Sequence, residues 1–105
     1  MAALRLEVIT PTGLAFARSG LEQVVLRRRE KHFEQGSEVA VRPRHGALLL
    51  RIPDHVLRCE TDDGWIRLRV RDGFAEVLDD RVSVLTPSAE ELPPESSGCE
   101  APSRQ

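Results

Sequence analysis

Leu4, Leu6 and Val8 alternate with Arg5 and Glu7, the two-residue period of a strand with one wet face. Thr10-Pro11-Thr12-Gly13 then reads as a turn, and short apolar stretches follow at Leu14–Ala17 and Leu21–Leu26. Glu38 to Arg42 alternates again, with Val39 and Val41 on one face. Ala47 to Ile52 is nearly continuous in apolar residues, the pattern expected of a strand covered on both sides. His55–Thr61 and Trp65–Arg71 flank Asp62-Asp63-Gly64, a hairpin signal. In the second arm Ile66, Leu68 and Val70 point one way, and Trp65, Arg67, Arg69 and Arg71 the other. Asp72-Gly73 turns the chain into Phe74–Leu78, with Phe74 expected in the core, and Asp79-Asp80 turns it into Val82–Leu85. About nine short strands, with a turn signal every 8–12 residues and no amphipathic helix, predict a small all-β sandwich or barrel.

The chain has 105 residues, the size of one domain. Composition divides it into a folded body at 1–86 and a flexible acidic tail at 87–105. The tail is rich in Pro, Ser and Glu and too poor in large apolar residues to offset the cost of ordering. Fifteen basic against seventeen acidic residues give a formal net charge of −2, which argues against nucleic-acid binding by bulk charge. The longest uncharged apolar stretch, Gly46 to Leu50, is far short of the ~20 residues of a membrane helix. Arg5 and Glu7 stand where a secretory signal would be apolar, so none is expected. Cys59 and Cys99 form no C-x-x-C motif and are expected as free thiols.

Candidate chemistry is sparse. His32, His45 and His55 follow no short metal-ligand spacing, and no serine lies in a G-x-S-x-G setting. Phosphate-cradling glycine motifs are missing, and the Asp62/Asp63 and Asp79/Asp80 pairs sit in turns, where Asp serves local hydrogen bonding. No catalytic residue, metal or cofactor is expected. The unusual segment is RRREKHFEQGSEVAVRPR at 27–44, read as a long charged loop able to meet an acidic protein, lipid head groups or RNA. RNA would want stacking aromatics, and Phe33 stands alone there.

Together these residues resemble a known family. LRLEVITPTGLAF at 4–16 resembles the first hairpin of the epsilon subunit of F-type ATP synthases. Leu21 to Leu26, then His45-Gly46-Ala47-Leu48-Leu49, then the hairpin HVLRCETDDGWIRLRV follow in the family's order. RDGFAEVLDDRVSVL at 71–85 is similar to its glycine, aromatic, small, Glu-Val signature with a final strand. The resemblance implies a β-sandwich of about 9–10 strands that is not an enzyme. Its expected role is a coupling subunit of the central stalk in a rotary proton- or sodium-translocating ATP synthase or ATPase. Gamma and the rotor ring are the expected partners. The chain is expected to be peripheral, at the cytoplasmic face of the inner (plasma) membrane. The alternative is a free-standing sandwich adaptor for another protein.

Carried over by position, the family's ring-facing loop falls at 28–45. Arg28, Arg29, Glu30, Lys31, His32, Glu34, Arg44 and His45 are the expected polar contacts. Some of Leu48, Leu50, Ile52 and Val56 are expected at the gamma interface rather than in the core. Arg27-Arg28 replaces the family's Pro-Gly, and Glu38 to Arg44 stands where the family has a Gly-apolar-Leu-Pro-Gly run. No C-terminal helical hairpin is expected after the sandwich, and with it no inhibition of hydrolysis and no ATP site.

Overall fold

The alternation at the N-terminus folds as it reads. In the computed structural model, which describes residues 3–30 and 33–93, β1 spans Leu4–Thr10 and buries Leu4, Leu6 and Val8 completely or nearly so. β2 (Gly13–Leu21) pairs along the whole of β1, well past the Leu14–Ala17 expected from sequence. It is an edge strand whose side chains are mostly exposed, so an apolar pattern marks only part of it. The chain then passes into β3 (Gln23–Glu30) and β4 (Phe33–Val41). β5 (Leu48–Ile52), β6 (His55–Thr61), β7 (Gly64–Val70), β8 (Gly73–Leu78), β9 (Arg81–Leu85) and β10 (Ala89–Glu91) complete the order.

Two five-stranded sheets result. The first has the order β2-β1-β9-β8-β5 and the second β10-β7-β6-β3-β4. Among the described residues every strand pairing is antiparallel except β1 with β9, which run parallel from Arg5–Arg81 to Ile9–Leu85. One core lies between the sheets. The first contributes Leu6, Val8, Ile52, Ala75, Val82 and Val84, and the second Leu26, Leu57, Cys59, Leu68 and Val70. Burial pushes the Cys59 thiol up to about 11, so it packs as a small apolar group. Cys99 lies outside the described residues.

The turns carry their own chemistry. Asp79 and Asp80 both adopt positive φ, 52° and 62°, the two-residue turn whose twist suits the β8–β9 hairpin. At the β6–β7 turn the Thr61 hydroxyl accepts from the Asp63 N–H (3.0 Å) and donates to the Gly64 carbonyl (2.9 Å). Buried Thr86 accepts from the Arg71 N–H (2.9 Å), and its own N–H donates to the Ile9 carbonyl (3.0 Å), joining the two sheets.

Four expectations are corrected. The segment read as a long loop over 27–44 is mostly strand: β3 runs on through Arg27–Glu30 and β4 returns from Phe33. β5 is not covered on both sides. It is the edge of the first sheet, with Leu50 and Ile52 inward and Leu49 outward. Phe74 is not core, because Ala75 and Val77 take the inward positions of β8. The segment expected as tail from Pro87 contains β10, which adds to β7 through Ala89–Val70 and Glu91–Leu68, with Ala89 packed on the core. Residues 94–105 lie outside the described residues.

Candidate functional site

Of the eight residues expected in one contact loop, the six that the structure describes divide between opposite ends of the sandwich. At one end, the hairpin end, β3 carries Arg28, Arg29 and Glu30. Glu34 lies in β4 beside them, and Lys31 and His32 lie outside the described residues. Arg44 and His45 stand at the other, the turn end, between β4 and β5. There the Arg44 N–H donates to Asp80 Oδ1 (2.6 Å) and the His45 ring meets the Gly46 carbonyl (2.8 Å). Arg29 bonds Asp72, just before β8, and Arg44 bonds Asp80, just after it. The 6 residues of β8 put about 20 Å between the two groups.

A bulge shapes the hairpin end. Its register shifts between Arg28 and Glu30, and Gly36 opposes it with φ at 72°. A Cβ at Gly36 would collide with the Arg28 carbonyl, so glycine is required there. The Ser37 hydroxyl donates to the Glu30 carboxylate across the pair. Arg29 reaches out of the hairpin to the Asp72 carboxylate, which also meets Arg51 at 3.4 Å. Asp54 takes the Asp72 N–H (2.7 Å) and pairs with Arg71 (3.3 Å). All these ion pairs are exposed, so each contributes at most about 1 kcal/mol; their work is to fix the hairpin's direction.

Beneath them, the imidazole of His55 joins β3 to the β5–β6 turn. Its Nδ1–H donates to the Pro53 carbonyl (2.7 Å), and its Nε2 accepts the Arg27 N–H (3.2 Å). That tautomer is neutral. Burial, and then Arg27 nearby, hold the ring below the usual histidine range, while the Pro53 bond and Asp54 oppose the shift. Charging Nε2 removes its lone pair and breaks the Arg27 bond. The unfolded chain, near the ordinary pKa of about 6.5, takes up the proton first, so stability is full above that pH and falls below it. Thermal melts between pH 7.5 and 5.5 are expected to fall by no more than about 1.4 kcal/mol per pH unit from this ring. His55→Gln should remove that part of the slope.

The turn end gathers carboxylates beside Arg42 and Arg44. Glu60 and Asp62 crowd Glu22 and raise its carboxyl above the usual range, and Asp63, Asp79 and Asp80 stand in the same set of turns.

The outer face of the first sheet is of a different kind, and the sequence reading missed it. Register lines up Phe74 with Leu85, Leu85 with Ile9 and Ile9 with Leu14, an unbroken apolar row across β8, β9, β1 and β2. Phe74 is 48% exposed, Leu85 50% and Leu14 60%, and Leu49 on the neighbouring edge is 70% exposed. The Arg51 guanidinium lies 5.6 Å from the Phe74 ring centre and closes the row at one side. The next row holds Glu76, Ser83 and Glu7, and Arg5 draws the Glu7 carboxyl below its usual range. Contiguous exposed apolar surface of this kind is what marks interaction sites on protein surfaces in general. The signal for it was Glu76, which shares a strand face with Phe74 and Leu78. The outer face of the second sheet is polar instead, with Arg58 between Glu38 (3.0 Å) and the Trp65 ring (5.3 Å).

Fold and surface together define a two-sheet β-sandwich with an apolar row across the outer face of its first sheet. Residues 3–92 match the model of the family described as the beta-sandwich domain of the ATP synthase delta/epsilon chain. The chain belongs to that family.

Among similar proteins, the chloroplastic ATP synthase epsilon chain of Cyanidioschyzon merolae is 30% identical over 88 residues, covering 84% of this chain and 62% of that one. The Staphylococcus aureus epsilon chain is 29% identical over 90 residues, covering 86% and 63%. The chain thus spans somewhat under two thirds of these relatives' length. Among solved structures, a chain of the Euglena gracilis mitochondrial ATP synthase superposes with a TM-score of 0.73 at 19% identity, covering 87% of this chain and 54% of that one. A chain of the Tetrahymena thermophila central stalk and c-ring superposes at 0.63 and 14% identity, covering 83% and 65%. Both share the sandwich fold. Among the described residues no helix is long and apolar enough to cross a membrane.

Proposed function

We propose that this chain is a non-catalytic coupling subunit of the central stalk in a rotary proton- or sodium-translocating ATP synthase or ATPase. The observation that carries the reading is the row Phe74–Leu85–Ile9–Leu14, with Leu49 beside it. A half-exposed apolar row suits burial against a partner in permanent assembly. In this reading the row lies on the gamma subunit. Leu50 and Ile52, expected among the interface residues, are buried in the core, and Leu49 takes that role from the same strand. The turn end, with Arg44 and His45, faces the polar loops of the rotor ring, where its charges set register more than affinity. The protein then sits peripherally at the cytoplasmic face of the inner membrane, held there through the complex.

Affinity purification of the tagged full chain from its own membranes, followed by mass spectrometry, tests the reading. Gamma and ring subunits are expected in stoichiometric amounts. Phe74→Asp with Leu14→Asp should abolish their recovery and leave the melting temperature within a few degrees, since both side chains are about half or more exposed and the two stand three strands apart. Recovery of a soluble, unrelated partner by the parent chain would give the fold to a free-standing adaptor instead.

A further inference from the structure

One residue on the outer face of the first sheet is at odds with its neighbours. Glu76 is exposed on β8 between Phe74 and Leu78, opposite Leu49 on β5 and Ser83 on β9. Phe74, Leu78 and Leu49 are all about half exposed or more, so a carboxylate stands amid large apolar side chains. It enters no ion pair among the described residues. The two arginines diagonal to it are engaged elsewhere. Arg51 meets Asp72 and the Phe74 ring, and Arg81 helps draw the Glu7 carboxyl down. Beside Glu76 opens a cavity of about 290 Å³, lined also by Leu78, Asp79, Arg81 and Ser83. Two carboxylates against one guanidinium leave that lining net negative.

We propose that Glu76 sets the specificity of this face by taking an arginine or lysine side chain of the partner into that cavity. The proposal rests on docking of gamma through the apolar row. A partner that covers Phe74, Leu78 and Leu49 also takes Glu76 out of water. A carboxylate buried without a counter-charge is strongly unfavourable, and the sandwich supplies no counter-charge of its own, so the covering surface must bring the cation. The cavity suits a long cationic side chain. Leu78 offers a wall for the methylene stem, and the Glu76 and Asp79 carboxylates and the Ser83 hydroxyl can accept from its head. A wholly apolar surface laid on the row would bury Glu76 unpaired and is rejected. The row thus supplies attraction, and Glu76 the choice of partner.

Competition within the assembled complex tests the proposal. The tagged full chain is produced beside the untagged parent in its own cells, and the share of each bound to gamma is read by mass spectrometry. Glu76→Gln keeps the shape and removes the charge, and should lower the bound share at least about tenfold, the scale of a charge pair broken at an interface. Glu90→Gln, an exposed carboxylate on the second sheet, should compete as the parent does. Glu76→Lys should be excluded outright, and turning one arginine or lysine of gamma to glutamate should restore it. Both Glu76 variants are expected to melt with the parent, since the side chain is exposed. Should the lysine variant not, Glu76→Gln decides alone. A Glu76→Gln chain that competes equally, while Phe74→Asp with Leu14→Asp does not, overturns the proposal and leaves the docking row standing. So does exclusion of Glu76→Lys that no single reversal on gamma relieves. A parent chain that binds no gamma, or a row variant that binds it undiminished, overturns both readings.

Discussion

Leu57→Ala is expected to destabilise the sandwich by about 2–5 kcal/mol, enough to take most of the stability of a domain that holds about 5–15. Leu57 is fully buried on β6, the middle strand of the second sheet, opposite Leu68 on β7. Removing three carbons there leaves a void that strands on both sides hold open, and such a void is more costly than the lost transfer energy alone. Thermal and urea melts measure it, with a fall in melting temperature of about 10–30 °C. Phe74→Ala is the contrast. Its ring lies outside the core, so that change should stay within about 1 kcal/mol, mostly the lost contact with Arg51. A Phe74 variant as unstable as the Leu57 one would mean that the outer face is misassigned.

The second large effect comes from a residue with no side chain. Gly73 opens β8 where β9 passes closely: a Cβ there would collide with the Leu85 carbonyl and stand 3.2 Å from the Thr86 Cα. The obstacle is backbone and cannot swing aside. Gly73→Ala should therefore cost toward the upper end of about 1–3 kcal/mol, and it should loosen the Phe74–Leu85 pair that anchors the apolar row. Stability and recovery of gamma would fall together. Gly46→Ala is the control: nothing lies within 4 Å of its Cβ position, and the change should stay within about 0.5 kcal/mol. Equal melts for the two variants would refute the close approach.

What the sequence disclosed follows from what a two-residue period reports. It shows which residues of a strand share a face, and it placed β1 and β7 with their inward residues correctly. It does not say which face is inward when both carry apolar groups. On β8, Phe74 and Leu78 faced Ala75 and Val77, and the larger side chains misled; Glu76, in step with Phe74, was the residue to heed. Edge strands were read short for a related reason. β2 and the far half of the β3–β4 hairpin have little apolar surface to bury, so charge took the place of pattern and the hairpin passed for a loop. That error carried into the site. A loop can bring its residues to one place, whereas a strand advances about 3.3 Å per residue and sends them apart. Arg28 and His45 are neighbours only along the chain. The docking row escaped notice because it exists only in register, one residue from each of four strands, and no stretch of sequence contains it.

The parallel contact between β1 and β9 has a consequence for how the protein comes into being. Arg5 pairs with Arg81, so the first strand made must wait for almost the last before its sheet is whole. β9 is also the centre of that sheet, with β1 and β2 on one side and β8 and β5 on the other. Until β9 leaves the ribosome, two separate pieces with unpaired edges stand where one sheet will be. Assembly of the sheet is then a slow event that closes a long span of chain, and the nascent sandwich is at its most adhesive just before β9 emerges.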